Sequence, residues 1–387
     1  MDELEKELIA VLDKKEPIKS TYNGGFDLGM KANTLTVSLN EQETTELINK
    51  LISNTWWGQL SNYLSVPTDC PQRDERLGWT GDAQVFARTA SINYDTQKFF
   101  RKWLHDLAAD QVENGSVSHV VPAVWDGDGS AAWGDAAIIV PYQMYLAYND
   151  TKIIEEQWNS MTSWLKFIET QGSEKGLWDK GGHFGDWLSL DAGDEATGGF
   201  TDDDLIATAM YAYTTSLLIK MGKVIGKDVS YYEEMYPVIV EQYRKHYLNT
   251  GKVEHETQTA NVLALYFNLT DNREREAEKL VKDIEECGHL KTGFVGTPYL
   301  LHVLTDIGRI DLAYKLLLKD TFPSWLYSVK MGATTMWERW NSYTIEHGMG
   351  PKGMNSFNHY AYGCVCEWIW ETVAGIACDA GAPGFAK

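Results

Sequence analysis

Beyond residue 45 the apolar residues of this chain recur at helical spacing almost without interruption, and strand-like alternation is scarce. The spacing predicts helices over 43–64, 82–92, 94–112, 133–149, 151–171, 202–226, 229–248, 257–269, 273–287, 297–307, 309–319 and 356–376. The stretch IATAMYAYTTSLLIKMGKVIG (206–226) carries the wide apolar face of a buried helix. EREAEKLVKDIEECG (274–288) instead keeps a narrow apolar stripe with charges elsewhere, as a surface helix does. Twelve helices, alternately buried and more polar, joined by loops of very unequal length, predict a ring of hairpins. Six hairpins close into an all-α (α/α)6 barrel, a single domain despite the 387 residues. An open α-solenoid would need a sequence period of about 34–47 residues, and none is visible. Residues 1–42 stand apart: GGFDLGMKANTLTVSLN (24–40) alternates weakly, as a hairpin remnant would. The expected organisation is an N-terminal appendage over 1–42, a possible remnant of a β-domain, and a toroid over 43–387.

Composition narrows the class of partner. The chain has 34 Lys and Arg against 55 Asp and Glu, a net charge of −21. Nucleic acid and anionic membrane surfaces both select for a basic footprint, so neither is expected as a partner. The start, MDELEKELIAVLDKKEPIK, lacks a basic region followed by an apolar one, so it does not read as a secretory signal. No uncharged apolar stretch is long enough to span a bilayer, and a cytoplasmic location is expected. The five cysteines are scattered, and Cys364 with Cys366 falls short of the four ligands of a structural zinc. The nine histidines show no HExxH or comparable spacing, so no metal or cofactor is expected.

Four connections are long: 65–81, 113–132, 172–201 and 321–355. Loops beyond about 15 residues are usually functional or disordered, and these hold much of the Trp, Asp, Glu and Gly. The first, with the start of the next helix, reads SVPTDCPQRDERLGWTGD and gathers Asp69, Asp74, Glu75 and Asp82 with Arg73, Arg76 and Trp79. Singly these have structural roles: Asp82 as a helix N-cap, Gly78 and Gly81 as turn residues, Arg76 as a counter-charge. Together, four mutually repelling acids need a reason, and glycosidic chemistry supplies one. A carboxyl kept protonated near neutral pH donates to the leaving oxygen, and neighbouring carboxylates raise its pKa and stabilise an oxocarbenium-like transition state.

The second cluster is GATTMWERWNSY (332–343), in which Glu338 lies between Trp337 and Trp340. An acid so flanked is either half-buried with an arginine such as Arg339 or aimed at a ligand on the aromatic surface, which makes Trp340 a binding candidate. Inverting hydrolysis needs such a second carboxylate to activate a water. Further aromatic–acid pairs are Trp125 with Asp126, Trp133 with Asp135, and Asp186 with Trp187, and His359 lies at the mouth of the last predicted helix. Trp103, Trp164, Trp368 and Trp370 fall within predicted helices and read as core.

The run DCPQRDERLGWTGD (69–82) closely resembles the signature of the bacterial α-L-rhamnosidases of glycoside hydrolase family 78, and GATTMWERW (332–340) and SFNHYAYG (356–363) resemble its later motifs. The resemblance runs from about Ile48 to the C-terminus. It implies an (α/α)6 catalytic barrel and inverting hydrolysis of terminal α-L-rhamnosides, with Glu75 as general acid and Glu338 as general base. It also implies Asp69, Arg73, Trp79 and Asp82 around the rhamnose, Trp133 and Trp187 on its apolar side, and His359 on a hydroxyl. A rhamnoside is then the partner, small-molecule or oligosaccharide. Members of that family usually carry β-sandwich domains around the barrel, so this chain reads as an isolated or trimmed catalytic domain. Two alternatives stay open: a toroidal hydrolase or lyase for another sugar, and a non-catalytic sugar-binding relic.

Overall fold

The computed structural model describes residues 42–125, 129–351 and 353–385, and the backbone of 20–21 and 34–35. The helices are α1 (Gln42–Asn62), α2 (Thr80–Asn93), α3 (Gln97–Asp110), α4 (Ala136–Tyr148), α5 (Thr151–Thr170), α6 (Asp203–Val224) and α7 (Ser230–Tyr247). They continue as α8 (Gln258–Tyr266), α9 (Arg273–Cys287), α10 (Thr297–Asp306), α11 (Ile310–Leu318), α12 (Trp325–Lys330) and α13 (Val365–Trp368). A 3-10 turn (Ala361–Cys364) leads into α13 and a π turn (Ile369–Val373) follows it.

The helices form two concentric rings. Around the inner ring α2 packs on α4, α4 on α6, α6 on α8, α8 on α10 and α10 on α13, and α13 with its 3-10 turn closes back onto α2. Outer helices pair with inner ones as hairpins: α5 with α4, α7 with α6, α9 with α8 and α11 with α10. This closure is the (α/α)6 toroid. Burial follows it, since every residue of α2 is buried, whereas α9 buries only Glu276, Leu280 and Ile284. The wide apolar face expected over 206–226 belongs to inner helix α6, and the narrow stripe of 274–288 to outer helix α9.

Local chemistry sets the ends. The Asp202 carboxylate accepts the N–H groups of Asp204 and Leu205 to start α6. The Asn272 side chain accepts the Arg275 N–H to start α9, which stops at Gly288 in the left-handed region, φ 71°.

Three expectations need correction. The helix predicted over 356–376 is helical only from Ala361, because the preceding segment pairs with residues 336–338: the Glu338 N–H donates to the Ser356 carbonyl and the His359 N–H to that of Met336. The helix predicted from 133 starts at Ala136, since the Asp135 carboxylate takes the Ala132 N–H and holds the preceding turn. The connection 321–355 holds an unforeseen helix, α12, and a two-stranded ribbon, β3 (Tyr343–Thr344) against β4 (Gly348–Met349). Near the N-terminus β1 (Ser20–Thr21) pairs antiparallel with β2 (Thr34–Leu35); the rest of 1–41 lies outside the described residues. No helix of the described residues is long and apolar enough to cross a membrane.

Candidate active site

The loop between α1 and α2 is folded around its own first acid. Asp69 is fully buried; its N–H donates to the Leu77 carbonyl and its Oδ1 accepts the Leu77 N–H, both at 2.9 Å. The span 69–77 so closed lifts Arg73 and Glu75 inward and turns Asp74 and Arg76 out to solvent. Gly78 and Gly81 serve close approach rather than the turns expected of them. A Cβ on Gly78 would lie 2.2 Å from the Val121 carbonyl oxygen, and one on Gly81 2.5 Å from the Trp133 ring. Nor is Asp82 an N-cap: α2 starts without a side-chain cap, and the Asp82 Oδ1 meets His359 Nε2 at 2.6 Å.

These segments converge on a cavity of about 120 Å³ lined by Asp69, Glu75, Trp79, Asp82, Trp133, Phe184, Trp187, Phe294, Glu338, Met354 and His359. Arg73 ties its acids together. It donates from Nη1 to Glu338 Oε2 at 2.8 Å, from Nη2 to Glu338 Oε1 at 3.1 Å, and from Nη2 to Glu75 and Asp69. Glu75 and Glu338, 263 positions apart in sequence, thus share one nitrogen. Their nearest oxygens are therefore within about 6 Å, two hydrogen-bond lengths.

The charges are graded. Burial raises the Glu75 carboxyl and Asp69 raises it further, against the pull of Arg73 and His359. Burial also raises Asp82, opposed by His359. His359 would be lowered by its burial, but Glu338 and Asp82 push it up to about 9, so it is an imidazolium at neutral pH. A half-buried guanidinium and a buried imidazolium thus hold the acid cluster together, and Glu75 is the most exposed of its carboxyls.

The imidazolium carries a pH prediction. A histidine titrating near 6.5 when unfolded and about 9 when folded stabilises fully below pH 6.5, and that stability is lost as pH rises through 9. Urea unfolding at pH 6.5 and pH 9 should show a decline of up to about 3 kcal/mol in the wild type. His359→Gln should flatten that decline; an equal slope in both proteins would rule the linkage out.

In the aromatic–acid pairs the ring and the acid do different things. Trp133 and Trp187 line the cavity, while Asp135 and Asp186 are fully buried behind them. The Asp135 carboxylate accepts the Ala132 N–H at 2.8 Å and the Trp164 Nε1–H at 2.9 Å. Asp186 accepts the N–H groups of Gly293, Val295 and Gly296 at 2.7, 2.8 and 3.0 Å and the Thr259 hydroxyl. Burial pushes Asp186 up to about 6, with Thr259 and the backbone donors pulling it down, so it is ionised at neutral pH. It pins Trp187 against Phe294, whose N–H donates to the Trp187 carbonyl at 2.9 Å. Asp186→Ala leaves those donors buried and unpaired, so unfolding should come about 3 kcal/mol easier in urea; a variant as stable as wild type would contradict this role.

Trp340 does not reach the cavity. It is buried against Trp325 and Tyr362 and donates from Nε1 to the Thr292 carbonyl. Arg339 N–H donates to the Ser342 hydroxyl and Ser342 N–H to the Arg339 carbonyl, and this turn swings Trp340 into the core. Trp337 faces the other way from Glu338, into a separate groove of about 870 Å³ beside Phe357. Arg339 binds the carbonyls of Asp194 and Ala196 rather than Glu338. Asp126 lies outside the described residues. Phe184, Phe294 and Met354 line the cavity without having been singled out in the sequence. Phe184 is the hub of the aromatic wall, edge-on or tilted against Trp79, Trp133 and Trp187.

Four nitrogens at this site, Arg73 Nε, Trp79 Nε1, Trp133 Nε1 and His359 Nδ1, are buried without a hydrogen-bond partner among the described residues. Buried donors are normally paired, so the cavity suits a ligand rich in acceptors, with an apolar side to lie on the aromatic wall.

Residues 42–373 match the family model of the bacterial alpha-L-rhamnosidase 6 hairpin glycosidase domain. The chain is similar to an alpha-L-rhamnosidase of Streptomyces avermitilis, 46% identical over 336 residues, which are 86% of this chain and 32% of the relative. An alpha-L-rhamnosidase of Formosa agariphila is 42% identical over 340 residues, 86% of this chain and 36% of the relative. The solved structure of the Streptomyces avermitilis alpha-L-rhamnosidase complexed with L-rhamnose aligns with TM-score 0.81 at 42% identity, covering 94% of this chain and 33% of that one. The chain thus spans about a third of the length of the curated relatives it matches.

Proposed function

This chain belongs to the bacterial alpha-L-rhamnosidase six-hairpin glycosidase family, and from that premise we propose that it hydrolyses terminal α-L-rhamnosides by a single inverting displacement. The observation that carries the reading is the meeting of Glu75 and Glu338 on Arg73 in a small cavity with acids on one side and an aromatic wall on the other. A 6-deoxy sugar has the matching two-sidedness: hydroxyls for Asp69, Asp82, Arg73 and His359, and a methyl-bearing apolar edge for Trp79, Trp133 and Trp187.

Glu75, whose pKa is raised, donates its proton to the glycosidic oxygen as the bond to the anomeric carbon breaks. Glu338, fixed by its own N–H and by both Arg73 nitrogens, takes a proton from the attacking water. A water between the carboxyls requires them roughly 6.5–9.5 Å apart. The single displacement therefore requires Glu75, the more exposed of the two, to leave Arg73 Nη2 when a sugar binds; a pair that stayed about 5 Å apart would instead indicate retention. Release of β-L-rhamnose as the first-formed product, seen by NMR, is the expected outcome, whereas first-formed α-L-rhamnose would overturn the single displacement. Glu75→Gln should slow methyl α-L-rhamnoside, a poor leaving group, by roughly 10²–10⁴-fold. The loss on p-nitrophenyl α-L-rhamnoside should be smaller, because p-nitrophenol needs little protonic help. Equal losses on both would remove Glu75 from the acid role.

A further inference from the structure

Among the described residues, the span 69–77 that carries Glu75 is hydrogen-bonded to the segments around Glu338 from two residues, one on each side of the loop. Arg73, inside the cavity, reaches Glu338 and Met354 Sδ. Gln72 faces the other way, into the groove beside Trp337 and Phe357, and its Nε2 donates to Ser356 Oγ at 2.7 Å. Ser356 is fully buried, and its carbonyl accepts the Glu338 N–H at 2.9 Å. The serine fixes the direction of the Gln72 bond. Its hydroxyl accepts the Asn358 N–H at 3.1 Å and spends its one hydrogen on the Asn358 carbonyl at 3.0 Å, so only a donor fits opposite it. Ser356 is itself anchored. The Asn358 side chain is bonded to Ser61 and Asn62 of α1, the Thr335 hydroxyl donates to the Phe357 carbonyl, and the His359 N–H to that of Met336.

The two ties meet a sugar differently. The inner one is an ionic network that faces the ligand, and single displacement requires Glu75 to give up its share of it. The outer one joins two neutral side chains that do not line the cavity, so no ligand there competes with it. We propose that Gln72 is a positioning residue: tied to Ser356, it holds the loop of Glu75 against the segment of Glu338, so that the acid still faces the glycosidic oxygen once it has left Arg73. The inference rests on the rhamnosidase reading with Glu75 as acid, and adds to it a residue that touches neither the sugar nor the reacting atoms.

Methyl and p-nitrophenyl α-L-rhamnoside, turned over by the full chain, test this role. Gln72→Met keeps the length of the side chain and removes the donor, and because the side chain is exposed the urea midpoint should stay near that of the wild type. On the methyl substrate kcat should fall about tenfold with KM unchanged, as for a shift smaller than the 1 Å that costs roughly 10²-fold. On the p-nitrophenyl substrate, which needs little from Glu75, the loss should be smaller. Ser356→Ala removes the same bond from its other end, so the double variant should lose no more activity than Ser356→Ala alone. An unchanged kcat for Gln72→Met overturns the proposal. So do equal losses on the two substrates, the mark of a general disturbance, and a raised KM with kcat intact, which would put Gln72 against the substrate. A double variant whose loss is the product of the single losses overturns the tie; if Ser356→Ala does not fold, Gln72→Met decides alone. Glu75→Gln measured alongside separates the two failures: if it splits the substrates and Gln72→Met does not, the positioning role falls and the acid stands. A wild type inert on both rhamnosides overturns the rhamnosidase reading and this inference with it.

Discussion

Glu338→Gln should lower kcat on p-nitrophenyl α-L-rhamnoside by at least roughly 10²–10⁴-fold, the usual worth of a positioned general base. That substrate isolates the base, because its leaving group departs with little help from Glu75. The expectation of a large loss follows from how Glu338 is held. Its side chain is buried, its N–H is bound to the Ser356 carbonyl, and both its oxygens accept from Arg73. Such a carboxylate keeps one orientation, as the general base we propose requires. The amide of Gln removes the charge and turns an NH2 toward the guanidinium, where only an acceptor fits. The control is a urea midpoint, which separates lost chemistry from lost structure. A folded variant with near-wild-type turnover would take the base role away from Glu338.

The rings of the toroid were legible because burial on a helix leaves a periodic trace: the all-round apolar face of 206–226 and the narrow stripe of 274–288 identify an inner and an outer helix. The acids of 69–82 were legible as a cluster because like charges rarely crowd into one loop without purpose. What periodicity could not carry was pairing between segments distant in sequence. The cross-links of Ser356 and His359 to residues 336–338 turn a predicted helix into an extended segment and deliver His359 to Asp82. The same limit explains Trp340, whose adjacency to Glu338 gives no shared direction; a turn at 339–342 sends the two side chains apart. Phe184 and Phe294 gave no signal because a phenylalanine on a cavity wall has the same sequence character as one in the core. Asp186 is legible in the sequence only as the neighbour of Trp187. The acid beside Trp187 does not line the cavity but binds the backbone of 293–296 behind the ring that does.

Arg73→Met should be the most damaging single change to the folded state, at about 3–5 kcal/mol near neutral pH, because it removes one partner from a buried ionic cluster and leaves the others uncompensated. Arg73 is bound to Glu338, Glu75 and Asp69, and two of these three carboxylates are almost wholly buried. Burial lowers the tendency of Arg73 to hold its proton, but the charge of Glu338 more than restores it, so the guanidinium stays charged. His359 alone cannot replace it, since it is already committed to Asp82. The deficit should therefore shrink as pH falls and the orphaned carboxylates protonate, a dependence that lost packing would not produce. Arg73→Lys keeps the charge but not the fork that reaches three acids at once, so it should recover part of the stability and little of the activity. Coupling provides a second, independent reading. Glu338→Gln already removes one of the charges that Arg73 compensates, so the double variant should lose less stability than the two single losses combined. Strict additivity, or an Arg73→Met protein as stable as wild type at pH 7, would mean that the acids are held by something other than this arginine.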